Sequence, residues 1–92
     1  MTSPLDADII NLLAARGGVA TRVYLENGTV YTVFNIAWGY DMGEPFAHVT
    51  TNISPEVKGA PIDVFCTEDI VQIRDESSDA IILETRKGDQ RA

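Results

Sequence analysis

Hydrophobic positions near the start of the chain recur at helical spacing, with Leu5, Ile9, Leu12 and Leu13 on one face. Ser3 stands as a cap, Pro4 suits the first helical position, and Asp6 sits where a capping-box acid would. Gly17-Gly18 closes the pattern, because glycine takes the left-handed conformation cheaply. These signals predict a helix over 3–16. From residue 19 the period changes to two. Val19, Thr21, Val23 and Leu25 alternate with Arg22, Tyr24 and Glu26 as far as Asn27-Gly28, the pair favoured in two-residue type I′ hairpin turns. Pairing outward from that turn sets Leu25 opposite Val30, Val23 opposite Thr32, Thr21 opposite Phe34 and Val19 opposite Ile36. That face is expected to meet the helix, and Tyr24 and Tyr31 are expected to pair across the outer one.

The pattern breaks over Gly39 to Pro45, a predicted loop, and returns to strand character over 46–53, where Val49, Thr50 and Thr51 are β-branched. Two prolines and a glycine over 54–61 predict a second loop. Short strands follow at 62–66, 70–74 and 80–85, separated by a tight turn at Glu68-Asp69 and the polar run DESSD over 75–79. The expected fold is α+β and mostly β: an N-terminal helix, then a strongly bent five- or six-stranded antiparallel sheet. One helix cannot cover such a sheet, and closure into a small barrel would also hide its edges. A single domain is expected over 1–86, with a disordered tail at 87–92.

The stretch RVYLENGTVYTVF resembles the first motif of the Sm-like fold, where an alternating strand runs into an NG or DG turn. FCTEDIVQI resembles the second motif, where a tight turn joins two short apolar strands. The resemblance covers roughly residues 3–74, is shared with SH3-like barrels, and implies a small barrel. It does not extend to RNA binding. Where Sm-like RNA binders place aspartate and asparagine, and a basic or glycine-containing turn, this chain has Trp38-Gly39-Tyr40-Asp41 and Thr67-Glu68-Asp69. The strand at 80–85 has no Sm counterpart either. The run GYDMGEPFAHVTTNISP is similar to one in small uncharacterised bacterial proteins, some from mobile integron gene cassettes, which implies an accessory cytosolic protein.

Charge narrows the partners. Fourteen acidic residues against seven basic ones give a net charge of −7, and residues 63–84 hold seven of the acids with Arg74 alone against them. Nucleic acid is bound largely by neutralising phosphates, and no basic cluster is present to do that. The acidic balance suits a soluble surface, or a protein that meets a basic partner. No apolar run approaches the roughly 20 residues needed to cross a bilayer. The start, MTSPLDADIINLL, has two acids where a signal peptide carries basic residues. With one cysteine, Cys66, these features favour the cytoplasm.

Residues 35–55 hold the only tryptophan, Trp38, and the only histidine, His48. Trp38, Tyr40, Asp41, His48, Thr50 and Asn52 are the candidate binding residues. Trp and Tyr supply large contact areas at low entropic cost, and here they mix with polar groups. His48 with Asp41 and a threonine is also conceivable as a catalytic set. Such sets are recognised by geometry, however, and neither composition nor fold gives catalysis independent support. Asn52 and Ser54 have a plainer reading as strand-ending residues that bond nearby backbone. One histidine and one cysteine cannot build a zinc site, and the acids lack the spacing of a calcium loop. No metal or cofactor is expected. The sequence therefore predicts a non-enzymatic binding module that self-associates. An acidic inhibitor or immunity-type protein covering a basic partner is the first alternative, and a small hydrolase using His48 the second.

Overall fold

A computed structural model of the chain describes residues 4–53 and 56–85. Helix α1 spans Pro4–Ala15 and is followed by strands β1 (Thr21–Leu25), β2 (Val30–Val33), β3 (Ile36–Gly39), β4 (His48–Thr51) and β5 (Val64–Cys66). A single 3-10 turn, Thr67–Asp69, leads into β6 (Ile70–Asp75), and β7 (Ile81–Glu84) comes last. The fold is thus one N-terminal helix with antiparallel β-structure, as the pattern predicts. The predicted cap Ser3, the Ser54-Pro55 pair and the tail 87–92 lie outside the described residues.

The seven strands form two sheets, one of order β2-β1-β6-β7 and one of order β3-β4-β5. The chain crosses between them twice, at Phe34-Asn35 and through the 3-10 turn. Helix α1 is tied to both crossings. At its C-terminal end the Gly18 N–H donates to Phe34 O at 2.7 Å. At its first turn the Thr67 hydroxyl donates to Asp6. Ile9, Ile10 and Leu13 of the helix join Val23, Val33, Val49, Phe65, Ile70 and Ile73 in one cluster shared by both sheets. The sequence places Leu12 on the buried face, where it packs half-buried against the cluster, while Ile10, not counted on that face, is buried.

The hairpin register differs from the expected one. Thr21 lies opposite Val33, Val23 opposite Tyr31 and Tyr24 opposite Val30. The Leu25 N–H donates to Thr29 O at 2.8 Å and the Gly28 N–H to Leu25 O at 3.0 Å, closing a three-residue loop. Only Gly28 of that loop has positive φ (92°), so this is a turn followed by a left-handed glycine, not a type I′ pair. The extra loop residue flips β2 relative to β1. Val33 is buried and Tyr31 packs on the core, stacked on Phe65 at 5.5 Å between ring centroids, while Val30 is exposed. Tyr24 therefore does not pair with Tyr31. It lies on the outer face, with the guanidinium groups of Arg22 and Arg74 at 5.9 and 5.5 Å from its ring.

Asn52, just after β4, ties the second sheet to the end of β2 in the first. Its side chain accepts the Phe34 N–H at 2.7 Å and donates to Thr32 O at 3.2 Å, in the manner of a neighbouring strand's peptide group. The same amide donates to Pro61 O at 2.8 Å. The backbone at Asn52 is left-handed, with φ of 64°, a conformation asparagine tolerates better than most residues.

Candidate functional site

Strands β3 and β4 build the site. Their register sets Ala37 opposite Thr50, Trp38 opposite Val49 and Gly39 opposite His48. Side chains alternate across a sheet, so His48 and Thr50 share its outer face while Val49 and Thr51 are buried. Residues Ala37 to Asp41, with His48 and Thr50, line an open cleft of about 350 Å³. Five of the six sequence candidates therefore meet there: Trp38, Tyr40, Asp41, His48 and Thr50.

Trp38 lies opposite Val49 in the register and so on the other face from His48, and both it and Tyr40, just beyond β3, line the cleft. They remain 48% and 44% exposed, which is high for large aromatic side chains. β3 is an edge strand. The Asn52 N–H donates to Asn35 O, so by ladder alternation Ala37 and Gly39 direct their backbone groups to β4 and Trp38 directs its own outward.

Beyond β3 the chain enters a turn in which the Glu44 N–H donates to Asp41 O at 3.0 Å. Gly43 takes φ of 82° there, as the third residue of such a turn requires. This turn swings Asp41 back over β4, where its Oδ2 lies 2.8 Å from His48 Nε2. Both side chains are well solvated, so the pair holds geometry and adds little stability.

Among the described residues His48 bonds Asp41 and no threonine. The Thr51 hydroxyl is buried and accepts the Asp63 N–H at 2.9 Å, so it is committed to the fold. No three metal-binding side chains converge among the described residues. Burial, aided by Asp69, Glu68 and Asp6, pushes the Cys66 thiol up from its ordinary value, partly offset by a backbone hydrogen bond at Glu68. That leaves Cys66 a protonated, weakly nucleophilic thiol at neutral pH. Asn52 lies outside the cleft. It is fully buried, and its side chain bonds the sheet junction.

The residue that sequence reasoning missed is Asp6. The capping role expected of it turns on Ser3, which lies outside the described residues. The Asp6 carboxylate is completely buried and accepts from Tyr40 Oη at 2.5 Å, from the Ala47 N–H at 2.8 Å and from the Thr67 hydroxyl. An aspartate in a first helical turn is commonplace, so nothing local in the sequence marks it.

The charge map also differs from the linear one. Asp75 pairs with Arg16 at 2.5 Å, and Asp79 bridges Arg22 and Arg74 at 2.5 and 2.9 Å. Arg22 and Arg74 are cross-strand partners, and Asp79 offsets a repulsion that two like charges would otherwise create. Hydrogen bonds from the Ser77 hydroxyl, Arg16 and the Ser78 amide hold the Asp75 carboxyl far below the usual range. The Arg74 guanidinium, with Arg22, lowers Asp79 too. Exposed Glu26, Glu68 and Asp69 gather at the hairpin end, where the Glu26 N–H donates to Asp69 O at 2.8 Å.

Comparison of the chain with protein-family models, with curated proteins and with solved structures gave no match in any of the three.

Proposed function

We propose that the protein is a non-enzymatic interaction module that self-associates, and that the cleft beside β3 is its recognition surface. The observation that carries this reading is the convergence of exposed Trp38 and Tyr40 with Asp41, His48 and Thr50 along an edge strand. Aromatic side chains of that exposure at a sheet edge bury large areas when a partner covers them. Strand edges add to this: Ile62 just before β5 and Val64 on it are 55% and 63% exposed, and Ile81 is 54% exposed on β7. The strand order supports an Sm-like or SH3-like architecture, in which the two sheets are halves of one bent barrel. In it β1 lies between β2 and β6, and the chain turns from β2 into β3. Absence of a helix long and apolar enough to cross a membrane, among the described residues, is compatible with work in the cytoplasm.

Trp38→Ala tests the reading. Self-association measured by sedimentation should weaken by about tenfold or more, as expected for loss of an aromatic anchor, with the circular dichroism spectrum unchanged. A variant that unfolds instead makes Trp38 a core residue and removes the cleft from consideration.

A second reading, an acidic protein covering a basic partner, is favoured by the charge map. Three of the four described lysine and arginine side chains, Arg16, Arg22 and Arg74, are held in ion pairs within the chain, the fourth being exposed Lys58, and Glu26, Glu68 and Asp69 lie exposed close to one another. Salt-sensitive binding to a basic protein supports it, and binding indifferent to salt counts against it.

A further inference from the structure

We infer that residues 40–47 form a strap pinned at both ends by one buried carboxylate, Asp6, so that the first turn of α1 sets the shape of the recognition cleft. The inference rests on the cleft reading and adds to it the element that controls the site.

The strap starts at Tyr40, whose hydroxyl donates to Asp6 Oδ2 at 2.5 Å, and ends at Ala47, whose N–H donates to Oδ1 at 2.8 Å. Between these pins residues 41–44 stand out in solvent, while Pro45 and Phe46 are half-buried. Asp41, Met42, Gly43 and Glu44 are exposed, and the Met42 side chain is fully so. Asp41, next to the first pin, forms the cleft wall that meets His48. Trp38 lies two residues before the same pin.

A buried carboxylate has to keep its hydrogen-bond partners, because a lone charge out of water is very costly. Asp6 therefore holds Tyr40 and Ala47 together with Thr67 of the 3-10 turn, and helix, strap and sheet crossing share one junction. Residues 41–44 keep one turn hydrogen bond and the Asp41–His48 pair but are exposed, so in this inference their order depends on the pins. With the Tyr40 pin gone, Asp41 loses its fixed approach to His48 and the cleft loses a wall.

Tyr40→Phe releases one pin, keeps the ring, and leaves Ala47 and Thr67 on Asp6. The test needs no partner: amide hydrogen exchange by NMR, with Trp38 fluorescence and the His48 ring resonances as local probes. The Glu44 amide should exchange about tenfold faster, the worth of one charge-assisted bond, while Val23 and Ile73 amides hold their wild-type rates. The Trp38 and His48 signals should shift in the same variant. Asp6→Asn provides the second test, because it removes the charge at nearly constant volume; the Ala47 and Glu44 amides should then both exchange faster. Unchanged exchange at Glu44 and unchanged Trp38 and His48 signals in Tyr40→Phe would overturn the strap, whatever Trp38→Ala does to self-association. The expected exchange pattern in a chain that never self-associates upholds the strap and sinks the cleft as a self-association surface.

Discussion

Asn52 shows how much one side chain can do in a small β-protein. It supplies hydrogen bonds to Phe34, Thr32 and Pro61 from a left-handed backbone and is wholly buried. Asn52→Ala should cost about 2–4 kcal/mol in chemical denaturation, since it strands buried backbone groups and strains the left-handed conformation. Asn52→Gly relieves the strain alone and should recover about 1 kcal/mol of that loss. Asp75 and Asp79 make a different prediction. Both carboxyls titrate lower in the folded chain than in the unfolded one. Their stabilising effect is therefore complete above the unfolded value of about 4 and is lost as pH falls below it. The thermal midpoint should fall with acidification below that point, and Asp75→Asn should flatten the fall. Cys66 should react with a thiol reagent at pH 7 more slowly than a free cysteine does, because its raised pKa leaves little thiolate.

At the scale of elements, helix and strands were largely legible because their hydrophobic periods are plain. The predicted helix over 3–16 is found at Pro4–Ala15, and the strand expected over 70–74 at Ile70–Asp75. What the pattern did not carry was the hairpin loop length. Asn27-Gly28 serves a two-residue turn or the end of a three-residue one, and that one residue decides which face of β2 is buried. Substitutions separate the two registers. Val33→Ala should destabilise by about 2 kcal/mol, and Val30→Thr should stay within about 0.5 kcal/mol, because only Val33 is buried. A large loss at Val30 with none at Val33 would restore the two-residue turn. Irregularities hide in the same way. Ile70 and Val71 are both buried although adjacent, because the β1–β6 register shifts at Leu25 and interrupts the alternation. The bend at Asn35 that divides 19–38 between two sheets also lacks any glycine or proline to announce it.

Over the whole molecule, the candidate site was legible as a region but not as a mechanism. Trp38, Tyr40, Asp41, His48 and Thr50 are close in sequence, and one strand–loop–strand unit suffices to gather them. Asn52 belongs to the same run yet serves the sheet junction, and Asp6, far away in sequence, joins the site through Tyr40. Such long-range partners leave no local periodic signal. The same holds for charge, since acids that look unopposed along the chain meet Arg16, Arg22 and Arg74 in space. The most direct test of the proposed association surface is native mass by light scattering across a wide concentration range, for the wild type and Trp38→Ala side by side. The account predicts a wild-type mass above the 10.0 kDa of one chain, rising with concentration, and a return toward 10.0 kDa in the folded variant. A wild-type mass of 10.0 kDa at every concentration, or a variant that associates as the wild type does, would contradict it.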